Sequence, residues 1–286
     1  MNVKVIAEIG CNHKGNMKVA KEMIEVAAIF CKVDVVKFQK RNIKELLSEE
    51  EYNAPHPDPK NSYGKTYGEH REFLEFNIEQ HKELKSYCEK FGLIYSSSVW
   101  DITSAKEIAS LKPEYIKVPS AMNTHFKMLE WLFRNYEGDI HISTGMTTKA
   151  EIDSIVNLAI KEGRNKEVVL YSCTSGYPVP FEDVCLLEIN ELKEKYADKV
   201  KAIGFSGHHL GIAVDIAAYV LGAQYIERHY TLDRTWKGTD HAASLEPDGL
   251  RKLARDLRNV QKSLKYKGEI LDIEEVQREK LKFKGY

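Results

Sequence analysis

Three basic side chains, five hydroxyls and two histidines stand just after runs of β-branched residues, and together they could bind and act on an anion. The basic groups are Lys37, Lys117 and Arg228; the hydroxyls are Ser98, Ser120, Ser143, Ser175 and Ser206. Lysine offers point charge to a phosphate or carboxylate, while serine offers directional donors. A buried lysine is costly without a counter-charge, so a bound anion is its natural compensation. Taken singly, each serine reads more readily as a turn or cap residue; two lysines at strand ends do not. His208 and His229 could share one divalent ion and leave positions for substrate and water. Glu8, Glu227 and Asp240 are the carboxylates beside them, and His209 and His241 are competitors that spacing does not exclude.

Eight short segments must position these groups: 3–9, 33–38, 93–97, 115–118, 139–143, 168–172, 201–205 and 225–229. Each is rich in Val, Ile or Tyr with little polar alternation, as expected of strands buried on both faces. Helical periodicity fills the gaps, with Val19, Met23, Ile24 and Ala27 in the first and Ile152, Ile155, Val156 and Ala159 in the fifth. Asp101 and Thr148 stand at N-cap positions, and Gly92 and Gly163 follow helix ends. Eight such alternations suggest a (β/α)8 barrel or a long doubly wound sheet. The turn after the first strand, Gly10-Cys11-Asn12-His13-Lys14-Gly15, lacks the G-x-G-x-x-G of a dinucleotide fold. A single α/β TIM barrel is therefore expected, with its ligand site where the strands end.

The chain has 286 residues, with 42 Lys and Arg against 43 Asp and Glu. Near-zero net charge argues against a nucleic-acid partner. No apolar run approaches the ~18 residues of a membrane span, and no signal peptide is evident at the start. The cysteines at 11, 31, 88, 173 and 185 form no C-x-x-C pair, which fits reduced thiols and a cytoplasmic setting. The barrel is expected over residues 1–262 and a charged tail without a second domain over 263–286. Between the second strand and its helix, residues 40–72 make a long connection with prolines at 55, 57 and 59 followed by Tyr63, Tyr67, His70 and Arg71. A loop of that length reads as a functional lid, an interface or a disordered insert.

At its strand ends the chain resembles the sialic acid synthase family, the phosphoenolpyruvate-dependent nonulosonate synthases. The matching stretches are 7–13, 37–39, 117–120, 143–146, 173–178, 204–208, 227–234, 240–241 and 244–247, in family order over nearly the whole chain. The resemblance implies condensation of phosphoenolpyruvate with an N-acylated amino sugar, N-acetylmannosamine-like or its 6-phosphate. By position, Lys37, Ser98, Lys117, Ser120, Ser143, Ser175 and Ser206 would hold phosphoenolpyruvate. Gln39, Tyr177 and Asp240 would face the sugar, and Glu8 would move protons. His208 and His229 would hold a divalent ion, Mn2+ or Mg2+. Family barrels usually dimerise, so a homodimer is a further expectation.

Three departures accompany the resemblance. Met122 stands where an acidic residue is common, and Gly207 where an aspartate is common. The usual C-terminal antifreeze-like domain and N-terminal hairpin are expected to be absent. Two competing readings are a 3-deoxy-ald-2-ulosonate phosphate synthase acting on a simple aldose phosphate and a non-catalytic barrel that binds an anionic sugar.

Overall fold

The computed structural model describes residues 3–283 and Gly285. Met1, Asn2, Lys284 and Tyr286 lie outside the described residues, and with them the outermost ends of the expected 1–262 and 263–286 spans. Eight parallel strands close into a barrel in chain order. They are β1 (Lys4–Gly10), β2 (Val35–Lys40), β3 (Ile94–Val99), β4 (Tyr115–Val118), β5 (Asp139–Ser143), β6 (Val168–Cys173), β7 (Ala202–Gly207) and β8 (Tyr225–His229). β1 pairs with both β2 and β8, which completes the ring.

Alternation along each strand divides the buried residues into two cores. Val5, Ala7 and Ile9 of β1 face outward and join the large core beneath the helices. Ile6 faces inward and joins Val35, Tyr115, Val169 and Tyr171 in a smaller core that plugs the barrel. One step further along the strands the inward positions turn polar, at Glu8, Lys37, Lys117 and Glu227. The apolar plug is thus the floor on which the polar layer rests.

β1, β2, β3, β6 and β7 end one or two residues later than their β-branched runs suggest. β3 reaches Val99 and β7 reaches Gly207, so Ser98 and Ser206 belong to strands rather than to loops. Polar side chains interrupt the hydrophobic run there, whereas backbone pairing continues, as between Gln39 and Ser98 and between Cys173 and Ser206.

α1 (Met17–Val26) runs into a π-helical turn at Ala27–Cys31. The 40–72 connection is folded: it holds α2 (Ile43–Leu46), α3 (Glu49–Asn53) and most of α4 (Tyr67–Leu74). α3 and α4 each open on a capping box, Ser48 with Glu51 and Thr66 with Glu69, which satisfies backbone donors at both starts. The Tyr63 hydroxyl donates to the Lys237 carbonyl at 2.5 Å, and Asn61 Oδ1 accepts from the Gly238 N–H at 2.9 Å. The connection is therefore clasped to the segment that follows β8.

The remaining barrel helices are α5 (Ile78–Lys90), α6 (Ile102–Ser110), α7 (Phe126–Asn135), α8 (Lys149–Lys161), α9 (Glu188–Tyr196), α10 (Ala213–Leu221) and α11 (Pro247–Ser263). Asp101 and Thr148 cap α6 and α8 through their side chains. Beyond α11, the charged segment contains a further exposed helix, α12 (Asp272–Leu281). No helix among the described residues is long and apolar enough to cross a membrane.

Candidate active site

The inward polar layer lines a cavity of about 330 Å³ at the C-terminal ends of the strands, a size suited to a small ligand. Glu8, Lys37, Gln39, Ser98, Lys117, Ser120, Ser143, Ser175, Tyr177, Ser206, His208 and His229 all line it. The strand ends thus bring together every expected site residue except Asp240 and Arg228. Asp240 stands just outside, with Oδ2 4.0 Å from His229 Nδ1.

The loop after β5 draws two of the serines together. Gly145 donates its N–H to Ser120 Oγ at 3.0 Å. A Cβ at this position would lie 2.5 Å from Ser175 Oγ and 2.8 Å from Ser120 Oγ, so only glycine lets the backbone pass so close to both hydroxyls. Gly10 has a similar role where β1 slips register against β2. Its φ of +56° favours glycine, and a Cβ there would meet Gln39 and Glu8 at 3.0 and 3.2 Å.

Sequence reasoning expected the two lysines to await an anion; in the structure they already have partners. Lys37 Nζ lies 2.6 Å from Glu8 Oε2, 2.7 Å from Ser98 Oγ and 3.7 Å from Glu227 Oε1. Lys117 Nζ lies 3.0 Å from Glu227 Oε2 and 3.7 Å above the Tyr171 ring. Burial opposes the charge on Glu227, yet Lys117 and Lys37 overcome it and hold the carboxyl down to about 2. Burial would lower Lys37, but Glu227 and Glu8 raise it on balance. Lys117 goes the other way: burial, with repulsion from Lys37, outweighs the pull of Glu227. The two members of the Lys117–Glu227 pair differ because the carboxylate faces two ammoniums and the ammonium faces only one of the carboxylates. Glu227, noted at first only as a neighbouring carboxylate, is thus the charge centre of the cavity.

The histidines can serve as metal ligands by tautomer and by environment. His208 Nδ1 lies 2.9 Å from the Thr174 carbonyl, which assigns the proton to Nδ1 and leaves the Nε2 lone pair available. Burial, reinforced by His229, lowers His208 to about 4, so the ring is neutral at pH 7. The two rings are 5.5 Å apart, and His229 Nδ1 is buried without a hydrogen-bond partner. Tyr177 packs beside both rings, at 4.4 and 5.8 Å. Among the described residues, no third His, Cys, Asp or Glu joins them at ligand spacing. These two donors fit an ion whose other positions are filled by substrate or water.

Three sequence assignments change. Arg228 is not part of the anion cavity. Glu227 and His229 face inward, so the residue between them faces outward, and Arg228 pairs there with Asp215 at 2.5 Å and with the His209 ring at 3.1 Å. That contact also takes His209 out of competition as a ligand. His241 turns away as well, with its Nδ1 2.7 Å from Thr231 Oγ1.

The departures from the family pattern have structural counterparts. Met122 packs against the outer core. At Gly207 a Cβ would lie 2.8 Å from the rings of both His209 and Phe205, so these rings fill the space a side chain would need. Trp100 is a cavity residue that strand-end reasoning missed, because it lies one position beyond β3. Its indole N–H is buried without a partner.

Comparisons with known proteins agree with this geometry. The model of the NeuB family matches residues 23–269. N-acetylneuraminate-9-phosphate synthase of Homo sapiens is 39% identical over 260 residues, covering 91% of this chain and 70% of the relative. N,N'-diacetyllegionaminic acid synthase of Campylobacter jejuni is 34% identical, covering 91% and 77%. The crystal structure of N-acetylneuraminic acid synthetase from Leptospira borgpetersenii, in complex with citrate, superposes with a TM-score of 0.82. It is 28% identical and is covered over 91% of its chain, against 98% of this one. A closed eight-stranded barrel, a polar cavity at its C-terminal rim and named synthases as relatives converge on one assignment: this chain belongs to the NeuB family.

Proposed function

We propose that the protein condenses phosphoenolpyruvate with an N-acylated amino sugar, or its 6-phosphate, to give a sialic acid-type nonulosonic acid and phosphate. The observation that carries this reading is the convergence of Lys37, Lys117 and five serines on one cavity beside Glu8, His208 and His229. In this reading residues 1–262 form the catalytic barrel and 263–286 a charged extension to it.

The lysines and serines bind the phosphate and carboxylate of phosphoenolpyruvate and hold its C3 against the aldehyde carbon of the open-chain sugar. A C–C bond forms between them, the aldehyde oxygen takes up a proton, and cationic character develops at C2. Water adds at C2 and gives its proton to Glu8, whose carboxylate Lys37 orients at 2.6 Å. Phosphate then leaves by C–O cleavage, taking the remaining C2 hydroxyl proton as the ketone forms, its charge stabilised by Lys117 and Lys37. A manganese or magnesium ion held by His208 and His229 would supply Lewis-acid polarisation of the aldehyde. Gln39 and Tyr177 in the cavity wall, with Asp240 at its edge, contact the sugar.

Phosphate release measured over N-acetylmannosamine, its 6-phosphate, acylated bacillosamine-derived sugars and simple aldose phosphates tests the reading. Turnover with an N-acylated sugar supports it. Turnover confined to arabinose 5-phosphate or erythrose 4-phosphate, or no turnover at all with manganese present, overturns it.

A further inference from the structure

We infer that Arg41 is a positioning residue that sets which end of the Gln39 amide meets the substrate. The inference rests on the cavity being the proposed acceptor-sugar site. Gln39 lies on β2 within the cavity wall, whereas Arg41 lies just beyond the strand and is 4% exposed.

The Arg41 guanidinium is held from several sides. Its Nη1 donates to Glu75 Oε1 at 2.9 Å, and its backbone N–H donates to Glu75 Oε2, also at 2.9 Å. Nη1 also meets Cys11 Sγ at 3.4 Å, and the guanidinium lies 4.3 Å from the Trp100 ring. Thus anchored, Nη2 donates to Gln39 Oε1.

A guanidinium has donors and no acceptor, so it can face only the oxygen of that amide. Gln39 Nε2 is thereby turned the other way, where it donates to Glu8 Oε1 at 2.8 Å. An amide nitrogen carries two hydrogens, and one of them goes to Glu8. The group Gln39 shows the acceptor sugar is consequently an N–H. The substrate atom it receives must be an oxygen lone pair, from a hydroxyl or an N-acyl carbonyl. Without Arg41 only the bond to Glu8 and the Cys11 thiol, 3.9 Å from Oε1, would hold the amide, and the N–H shown to the sugar would no longer be fixed in direction. Arg41 would then govern recognition of the sugar without touching it.

A double-mutant cycle tests this. Arg41→Met and Gln39→Met should each lower kcat/KM for the sugar by tenfold or more, while the KM for phosphoenolpyruvate changes less than twofold. The double variant should be no worse than the poorer single variant, because both remove one interaction. Effects that multiply, or a rise mainly in the phosphoenolpyruvate KM, would overturn the inference. Should Arg41→Met fail to fold, Arg41→Lys serves, since one ammonium cannot span Glu75 and Gln39; wild-type sugar kinetics in that variant would also overturn it.

A second readout needs no turnover. In protein labelled with 15N-glutamine, the side-chain amide protons of Gln39, assigned by their absence in Gln39→Met, should exchange slowly with solvent. They should exchange at least tenfold faster in Arg41→Met. An unchanged rate overturns the inference even if no sugar is turned over, whereas additive kinetics in an active enzyme overturn it and leave the proposed reaction intact.

Discussion

Replacing Lys117 by methionine keeps most of the side chain's volume and removes its charge, which leaves buried Glu227 with only the more distant Lys37, at 3.7 Å, as a charged partner. Glu227 stands at about 2 against an ordinary 4.5 because Lys117 and Lys37 overcome its burial. A folded value below the unfolded one gives stability that is fully present above about 4.5 and is lost as the pH falls towards 2. At 1.36 kcal/mol per pH unit, that difference is worth about 3 kcal/mol. Breaking a buried pair from one side typically costs roughly 3–5 kcal/mol, in agreement. The figure is the net effect of burial and both lysines, and Lys37 stays 3.7 Å from Glu227 Oε1 in the variant; burial of Lys117 makes the intact pair worth less than this. The assay is equilibrium unfolding in urea. With a slope of about 3 kcal/mol per molar, the Lys117→Met midpoint should fall by roughly 1 M at pH 7. The deficit should shrink as the pH drops through about 4.5, where the Glu227 carboxyl can take up a proton. Adding Glu227→Gln should recover more than half of the loss. In kinetics, Lys117→Met should raise the phosphoenolpyruvate KM more than the sugar KM. A wild-type midpoint in the single variant, or no recovery in the double, would refute the reasoning.

His229→Ala should weaken manganese binding at least tenfold by electron paramagnetic resonance and nearly abolish turnover; unchanged affinity would remove His229 from the ligand set. Gly145→Ala places a methyl group 2.5 Å from Ser175 Oγ, so the phosphoenolpyruvate KM should rise by about tenfold, some 1.4 kcal/mol of binding; an unchanged KM would mean that these serines do not hold that substrate. Gly204→Ala puts a Cβ 2.7 Å from the Tyr171 ring beneath Lys117, an overpacking worth roughly 1–3 kcal/mol. Its melting temperature should fall by several degrees, and a wild-type value would show that the barrel floor can yield.

The barrel was legible because each strand buries both faces and so shows as a short run rich in Val, Ile or Tyr, with cap residues marking where helices begin. The rim was legible for the same reason: polar residues that end such runs must lie where the strands end. Orientation was harder to read. Arg228 follows Glu227 and precedes His229, and the period of two sends it outward, but adjacency in sequence suggested one shared pocket. Pairing was harder still, since nothing in one dimension shows that Glu8 and Glu227, from the first and last strands, meet the lysines of β2 and β4. The connection over 40–72 looked irregular because three prolines cluster at 55, 57 and 59. Its helix starts were nevertheless written out as Ser48-Glu49-Glu50-Glu51 and Thr66-Tyr67-Gly68-Glu69, two capping boxes that short helices leave as their main trace.

The charge arithmetic of the cavity links these features to its chemistry. Lys37 and Lys117 contribute two positive charges, and Glu8 and Glu227 balance them. His208 is neutral at pH 7. The layer alone therefore offers hydrogen-bond donors to an anion but little net attraction, and a multiply charged ligand such as phosphoenolpyruvate would leave the filled cavity strongly negative. A divalent ion held by His208 and His229, as proposed, would restore that balance without disturbing either ion pair. The carboxylates serve a different purpose: they keep two lysines charged inside a barrel when no ligand is bound, which burial alone would oppose. Two acids that seem to weaken an anion site are thus what allow its cations to be there.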